Sequence, residues 1–166
     1  VELPAQIRGG GQEMGRRAGT ENVVAIAGFG AAAHAVAQDL ATGVWQRVTE
    51  IRNILETALE TESKEIIFVG ADIERLPNTS CLAVPGWKGE TQVMQMDLSG
   101  FAVSAGSACS SGKVKASRVL RAMGYGDELA GCAIRLSLGP TTTEAEVLQF
   151  ADVWVDKYNK CRARAA

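Results

Sequence analysis

Residues 104–112 read Ser-Ala-Gly-Ser-Ala-Cys-Ser-Ser-Gly, and no other run constrains the fold as strongly. It holds no large apolar side chain and no charge. It can therefore supply neither the apolar stripe of a helix nor the core face of a strand. The chain has to carry it as a connection on the outside of whatever core it forms, and small residues predict that this connection is mobile. One thiol, Cys109, sits within it. Cysteine is the strongest side-chain nucleophile near neutral pH because part of it is already thiolate. A small, mobile loop suits a nucleophile that has to travel. A Ser/Gly-rich connector that happens to contain a cysteine has the same composition.

The sequence on either side reads as regular structure. Residues 21–40 form an alanine-rich helical pattern with Val24, Ala27, Gly28, Ala31, Ala32, Ala35 and Val36, a small-residue face suited to close packing. Gly43 breaks it. Val44, Val48, Ile51, Leu55 and Leu59 then recur on one helical face over 44–60, with Arg47, Glu50, Glu56 and Glu60 off that stripe. Strands are predicted at 65–70, 80–84 and 101–103, with a short helix over 90–98. A helix over 115–123, with Val119, Leu120 and Met123 inward, follows the cysteine loop. Residues 132–138 alternate Cys132, Ile134, Leu136 and Leu138 against Ala133, Arg135 and Ser137, the period of a strand. Thr143 and Glu146 match a capping box, and Val147, Ala151, Trp154, Tyr158 and Cys161 mark the helix that follows, to about Arg162. These elements divide near Gly43. A glycine-rich loop and an alanine-rich helix precede it, and a compact α/β unit follows.

Composition excludes several classes. The 166 residues hold 17 basic and 19 acidic side chains, for a net charge of −2, and no basic run exceeds Arg16-Arg17, so no nucleic-acid patch is expected. No apolar stretch is expected to reach the length of a membrane span, and no signal peptide opens the chain. The four cysteines lack Cys-x-x-Cys spacing and there is one histidine, which argues against zinc; an even count permits disulfides, but without a secretion signal reduced thiols are expected. The chain opens at Val1, which reads as the interior of a longer protein or as processing.

Three further features bear on chemistry. Gly9-Gly10-Gly11-Gln12-Glu13, followed by Gly19-Thr20-Glu21-Asn22 at a helix start, could cradle a phosphate, with Thr20 offering its hydroxyl. The spacing fits neither Walker A nor a dinucleotide fingerprint, and the pattern alone favours a structural turn. Arg135 lies in an apolar strand on the face opposite Ile134 and Leu136, where a guanidinium can grip a carboxylate through two hydrogen bonds or can simply be solvated. Cys81, Cys132 and Cys161 read as inert core thiols, His34 as structural, and Trp45, Trp87 and Trp154 as packing anchors.

Together these segments resemble the pyridoxal-phosphate-dependent cysteine desulfurases, in particular the NifS-like group. The match rests on residues 9–22 (Gly-Gly-Gly-Gln-Glu, then Arg-Ala-Gly-Thr-Glu-Asn), on 104–112, and on 134–144 (Ile-Arg-Leu-Ser-Leu-Gly-Pro-Thr-Thr-Thr-Glu). Leu-Pro-Asn-Thr at 76–79 and Ser-Arg-Val-Leu-Arg-Ala-Met-Gly at 117–124 support it. The resemblance implies an α/β fold: the C-terminal part of a fold-type I PLP-dependent transferase, with a small α+β domain whose mixed sheet packs with helices. Residues 1–43 would be the tail of the large cofactor domain and a connecting helix, and 44–166 the complete small domain.

It also implies an activity. The parent enzyme would take sulfur from free L-cysteine, leaving L-alanine and a persulfide on Cys109, for an iron–sulfur scaffold or other sulfur-acceptor protein, including nitrogenase maturation. Arg135 would hold the substrate carboxylate. Thr20 would reach the pyridoxal 5′-phosphate phosphate across a homodimer, and Lys113 and Lys115 could steady the Cys109 thiolate. Such a parent is expected in the cytoplasm. The Schiff-base lysine of the family lies upstream of the Gly-Gly-Gly-Gln-Glu loop, and Lys64, Lys88, Lys113, Lys115, Lys157 and Lys160 match no family motif. The chain by itself is thus expected neither to retain the cofactor nor to release sulfide. Met14 and Gly15 also depart from the family, standing where arginines are common. A sulfur-acceptor or scaffold binding module without chemistry is the alternative, and selenocysteine is a substrate the sequence does not separate from cysteine.

Overall fold

The structure, a computed structural model, describes residues 3–105 and 116–165. It comprises two compact units, Val1–Thr42 and Gly43–Ala166.

In the first unit a parallel bridge joins Ile7 to Arg17 and closes the glycine-rich loop, which contains a short 3-10 turn at Gln12–Gly15. Within this turn Glu13 and Met14 take positive φ, a backbone region that costs non-glycine residues energy. Helix α1 (Val23–Ala41) starts at Asn22, whose side chain accepts from the Ala25 N–H. None of its residues is buried, and Val24 and Phe29 are 85% and 79% exposed. Contrary to expectation, one apolar stretch does reach the length of a membrane span. By length and composition alone, Val23–Ala41 is a helix long and apolar enough to cross a membrane. Its many alanines and glycines conceal this to the eye, because no run of large apolar residues marks it.

The second unit is built on a four-stranded sheet of order β1 (Ile67–Phe68), β2 (Thr79–Ala83), β4 (Ala133–Ser137), β3 (Ser104–Ala105). The sheet packed with helices is as expected, and its described pairings are all antiparallel. Alternation along β2 and β4 sends Leu82, Ile134 and Leu136 to one face. There they meet helix α2 (Val44–Glu62), through Ile51, Leu55 and Leu59, and helix α6 (Glu144–Ala165), through Val147, Ala151 and Trp154. Each large apolar side chain fully buried in such a core contributes about 1.5–3 kcal/mol. The α6 capping box forms as read, with the Thr143 N–H donating to Glu146 Oε2 at 2.8 Å and the Glu146 N–H to Thr143 Oγ1 at 3.3 Å.

Helix α3 (Gly89–Asp97) carries Gln92, which is fully buried. Its amide donates to the carbonyls of Trp87 and Cys132, both at 2.9 Å, and accepts from the Trp154 indole at 3.1 Å. One side chain thus ties three parts of the core together. On the flank of α2, buried Arg52 donates to the Leu76 carbonyl at 2.8 Å, and Arg75 grips Glu56 through bonds of 2.7 and 2.6 Å. These hold the β1–β2 connection against α2.

Among the described residues of this unit, the opposite face of the sheet is covered at one end. Helices α4 (Arg118–Ala122) and α5 (Asp127–Cys132) lay Leu120 and Ala130 over Ala83 and Ala133 at one end. Helix α5 was not expected from the sequence. The expected inward set on α4 reduces to Leu120, because Val119 is 67% and Met123 48% exposed: a five-residue helix turns only one residue fully toward the sheet. Likewise strand pairing begins at Ser104 rather than over 101–103.

Candidate active site

Toward its other end, this sheet face presents a polar row. Arg135 on β4 stands directly opposite Cys81 on β2 and Ser104 on β3. Opposed residues of an antiparallel ladder share a face with their Cα atoms about 4.5–5.5 Å apart. One step along, Thr79 opposes Ser137 on the same face. Arg135 is exposed, and among the described residues no carboxylate is ion-paired with it. An unpaired guanidinium in a rigid central strand, flanked by a hydroxyl and a thiol, can receive a carboxylate in the bidentate geometry its fork favours.

A cavity of about 390 Å³ adjoins this row, between α4 and the sheet. Arg135 and Cys81 line it from the sheet, Ser117 and Arg118 from the start of α4, and Val69, Leu120 and Met123 form its apolar wall. A second cavity, about 410 Å³, lies beside Phe101, Leu136 and Phe150. Its one ionisable group is Glu146, whose carboxylate is already engaged by Thr143. Of these two, the cavity that holds Arg135 carries ionisable groups outside any ion pair among the described residues.

The backbone ties this cavity to the cysteine segment. Residues 106–115 leave from β3, directly beside the Ser104–Arg135 pair, and the chain resumes at Ala116-Ser117, where Ser117 caps α4 by accepting from the Leu120 N–H. Cys109, Lys113 and Lys115 lie outside the described residues. The thiols that are described do not compete for a nucleophilic role. Burial pushes Cys81 up from its ordinary value, against the pull of Arg135. Burial pushes Cys132 up as well. Both stay protonated at neutral pH. Cys161 is a free thiol packed against the core.

Thr20 belongs to the other unit. The Arg17 guanidinium donates to the carbonyls of Gly19 at 3.2 Å and Thr20 at 2.6 Å, fixing the turn that leads to α1. Thr20 is exposed at this turn, ahead of the Asn22 cap. As a donor set for pyridoxal phosphate the unit is partial. A hydroxyl and a turn before a helix N-terminus fit the phosphate end, while residues 1–42 contain no lysine to hold the aldehyde end. His34 pairs along α1 with Gln38, at 3.1 Å.

Sequence reasoning singled out Arg135 but not its neighbours Ser104 and Cys81, nor Arg118. Strand alternation places Arg135 on the outer face. Which residues oppose it depends on register, which the sequence pattern alone leaves open.

The aminotransferase class-V family model matches residues 4–150. A cysteine desulfurase from Cereibacter sphaeroides is 40% identical over 164 residues, covering 98% of this chain and 41% of the relative. Another, from Enterobacter agglomerans, is 41% identical over 141 residues, covering 85% of this chain and 35% of the relative. Among solved structures, a NifS-like protein from Rickettsia africae has a TM-score of 0.81 at 31% identity, over 96% of this chain and 41% of its own. SspA, solved in complex with cysteine, has a TM-score of 0.52 at 27% identity, over 86% of this chain and 38% of its own. The chain thus spans about two fifths of the length of the relatives it matches.

Proposed function

The chain belongs to the aminotransferase class-V family, and from that premise we propose that it carries the sulfur-transfer part of a cysteine desulfurase acting on L-cysteine. In this reading the Cys109 thiolate attacks the substrate sulfur. A sulfur–sulfur bond forms, the carbon–sulfur bond breaks, L-alanine leaves after taking up a proton, and Cys109 retains the persulfide for an acceptor protein in iron–sulfur cluster assembly. Arg135 anchors the substrate carboxylate and so orients the sulfur toward the thiol. Lys113 and Lys115 favour the thiolate by charge. Thr20 contacts the phosphate of pyridoxal phosphate, which when bound supplies the electron sink for the substrate carbanion. The working enzyme is a cytoplasmic homodimer. Residues 1–43 serve as the tail of its cofactor domain and connecting helix, and 44–166 as its small domain.

The observation that carries this reading is the ladder between β3 and β4. Ser104 opposes Arg135, so the chain bearing Cys109 departs next to the guanidinium. It returns at Ser117, in the wall of the cavity that Arg135 also lines. A carboxylate anchor beside both ends of a thiol-bearing segment is the geometry required to bring a substrate sulfur and a nucleophile together.

The test is a graft. The corresponding C-terminal part of the Cereibacter sphaeroides enzyme is replaced by this chain, and L-alanine formation from L-cysteine is followed. Arg135→Gln should lower kcat/KM by about 100-fold, the loss of one charge-assisted anchor, mainly through KM. Cys109→Ser should abolish persulfide formation. A graft that retains cofactor and works equally well without either side chain would overturn the reading.

A second reading takes the chain by itself as a docking module for a sulfur acceptor, without chemistry of its own. The same graft separates the two readings. Turnover dependent on Cys109 supports the enzyme, and acceptor binding without turnover supports the module.

A further inference from the structure

We infer that Arg17 is a positioning residue for the phosphate contact of Thr20. Its guanidinium spans the turn at Gly19 and fixes the backbone from which Thr20 presents its hydroxyl. The inference rests on the reading above for what that hydroxyl contacts.

The turn needs a tie from outside its own backbone. Gly19 takes a φ of +94°, in the left-handed region that glycine enters freely, so the chain just before Thr20 is conformationally permissive. Among the described residues no backbone N–H reaches the carbonyl of Gly19 or of Thr20. The ladder of α1 opens later, at the Asn22 carbonyl, which accepts from the Ile26 N–H. The Asn22 side chain also acts beyond the turn, on the Ala25 N–H.

Arg17 supplies that tie. One nitrogen, Nη1, donates to both carbonyls, at 3.2 Å to Gly19 and 2.6 Å to Thr20. These two carbonyls belong to the peptide planes on either side of the Thr20 Cα. A charged donor shared between them sets both planes, and with them the direction of the Thr20 Cα–Cβ bond. From there a β-branched side chain has few rotamers left. Of the described side-chain hydrogen bonds in residues 3–42, the two from Arg17 are those that reach this turn.

The base of Arg17 is itself held. Its main chain bridges Ile7, the Ala18 N–H donates to the Ile7 carbonyl at 2.9 Å, and the Gln6 N–H donates to the Arg16 carbonyl at 2.8 Å. Gly9 lets these two segments close up, since a Cβ there would stand 2.9 Å from the Ala18 Cβ. The guanidinium therefore reaches from a paired segment to a permissive one.

The test measures the affinity of the cofactor-stripped graft for pyridoxal 5′-phosphate by equilibrium dialysis, beside pyridoxal, which lacks the phosphate. Thr20→Val should weaken pyridoxal phosphate about tenfold, the worth of one hydrogen bond to a charged group. Arg17→Gln should do the same, and the double variant should lose no more than either single one, because both remove one contact. Affinity for pyridoxal should stay unchanged throughout. Losses that multiply to about a hundredfold would overturn the proposal. So would an equal loss for pyridoxal, or an Arg17→Gln graft that binds as the wild type does while Thr20→Val is weakened. Thr20→Val without effect would sink the Thr20 contact of the sulfur-transfer reading, and this proposal with it.

A second measurement stands apart from cofactor uptake. In the 15N-labelled 166-residue chain, Arg17→Gln should shift the Thr20 and Glu21 amides and leave the Gln6 amide, bonded to Arg16, in place. Unmoved Thr20 and Glu21 amides would overturn the proposal. Loss of the Gln6 bond would also overturn it, by making Arg17 a residue of the fold alone.

Discussion

Ser104 stands directly opposite Arg135 in the antiparallel pair of β3 and β4. This single register relationship joins the two ends of the proposed chemistry. The strand that leads into the Cys109 segment is paired to the strand that carries the carboxylate anchor. A slip of one residue would turn Arg135 into the apolar core and Ile134 toward solvent, so the burial of Ile134 and Leu136 enforces the register.

Gly89 guards this pairing from behind. A Cβ at Gly89 would lie 2.6 Å from the Ala133 carbonyl oxygen and 3.2 Å from the Ala105 Cβ. The first of these is backbone and cannot swing aside. Gly89→Ala should therefore cost about 1–3 kcal/mol, as overpacking does, and displace β4 beside β3. Urea unfolding gives the energy, and amide shifts at Ser104 and Arg135 report the displacement. An unchanged midpoint with unchanged shifts would refute this.

Gln92 is the most vulnerable polar residue of the core. Replacing it with leucine leaves the Trp154 indole N–H and the Trp87 and Cys132 carbonyls without their partner. Each buried group left unsatisfied costs about 1–3 kcal/mol. Gln92→Leu should lower unfolding free energy by about 3 kcal/mol and blue-shift or broaden tryptophan fluorescence, since Trp87 and Trp154 pack nearby in a tilted pair with centroids 5.1 Å apart.

The Glu56–Arg75 pair makes stability depend on acid. Burial by itself would raise the Glu56 carboxyl, but its hydrogen bonds and charge contact with Arg75, helped by Ser80 and Arg52, hold it below its ordinary value. A carboxyl lower in the folded than in the unfolded state adds stability above the unfolded value, about 4.3 for glutamate, and this is lost as pH falls through the folded value. Urea unfolding at decreasing pH should therefore show the wild type converging on Glu56→Gln below about pH 4. A constant gap between them across that range would contradict the assignment.

Much of this was legible in the sequence, for physical reasons that differ by element. Helices α2 and α6 were clear because their buried residues recur at helical spacing and, in α6, because Thr143 and Glu146 form a box visible in one dimension. Strand β4 was clear because its alternation spans five residues. Strands β1 and β3 are two residues each, too short for a period, and α5 at six residues carries no stripe. Arg135 could be placed on an outer face, but its company of Ser104, Cys81 and Arg118 is set by pairing between strands distant in sequence. The span-like hydropathy of α1 was missed because alanine and glycine spread it thinly.

The second unit holds its own core, so residues 43–166 expressed alone should unfold in one cooperative transition. Calorimetry checks this. In the whole chain, limited proteolysis should cut first within residues 1–42, where α1 buries nothing. First cuts inside α2 or α6 would contradict it.

The most direct measurement is mass spectrometry of the graft after a single turnover with L-cysteine, reading the peptide that contains Cys109. The account predicts that this peptide gains one sulfur atom, removable by dithiothreitol, that Arg135→Gln slows its appearance, and that no such gain occurs on Cys81, Cys132 or Cys161. A graft that retains cofactor yet leaves Cys109 unmodified, or carries the sulfur on another cysteine, would contradict it.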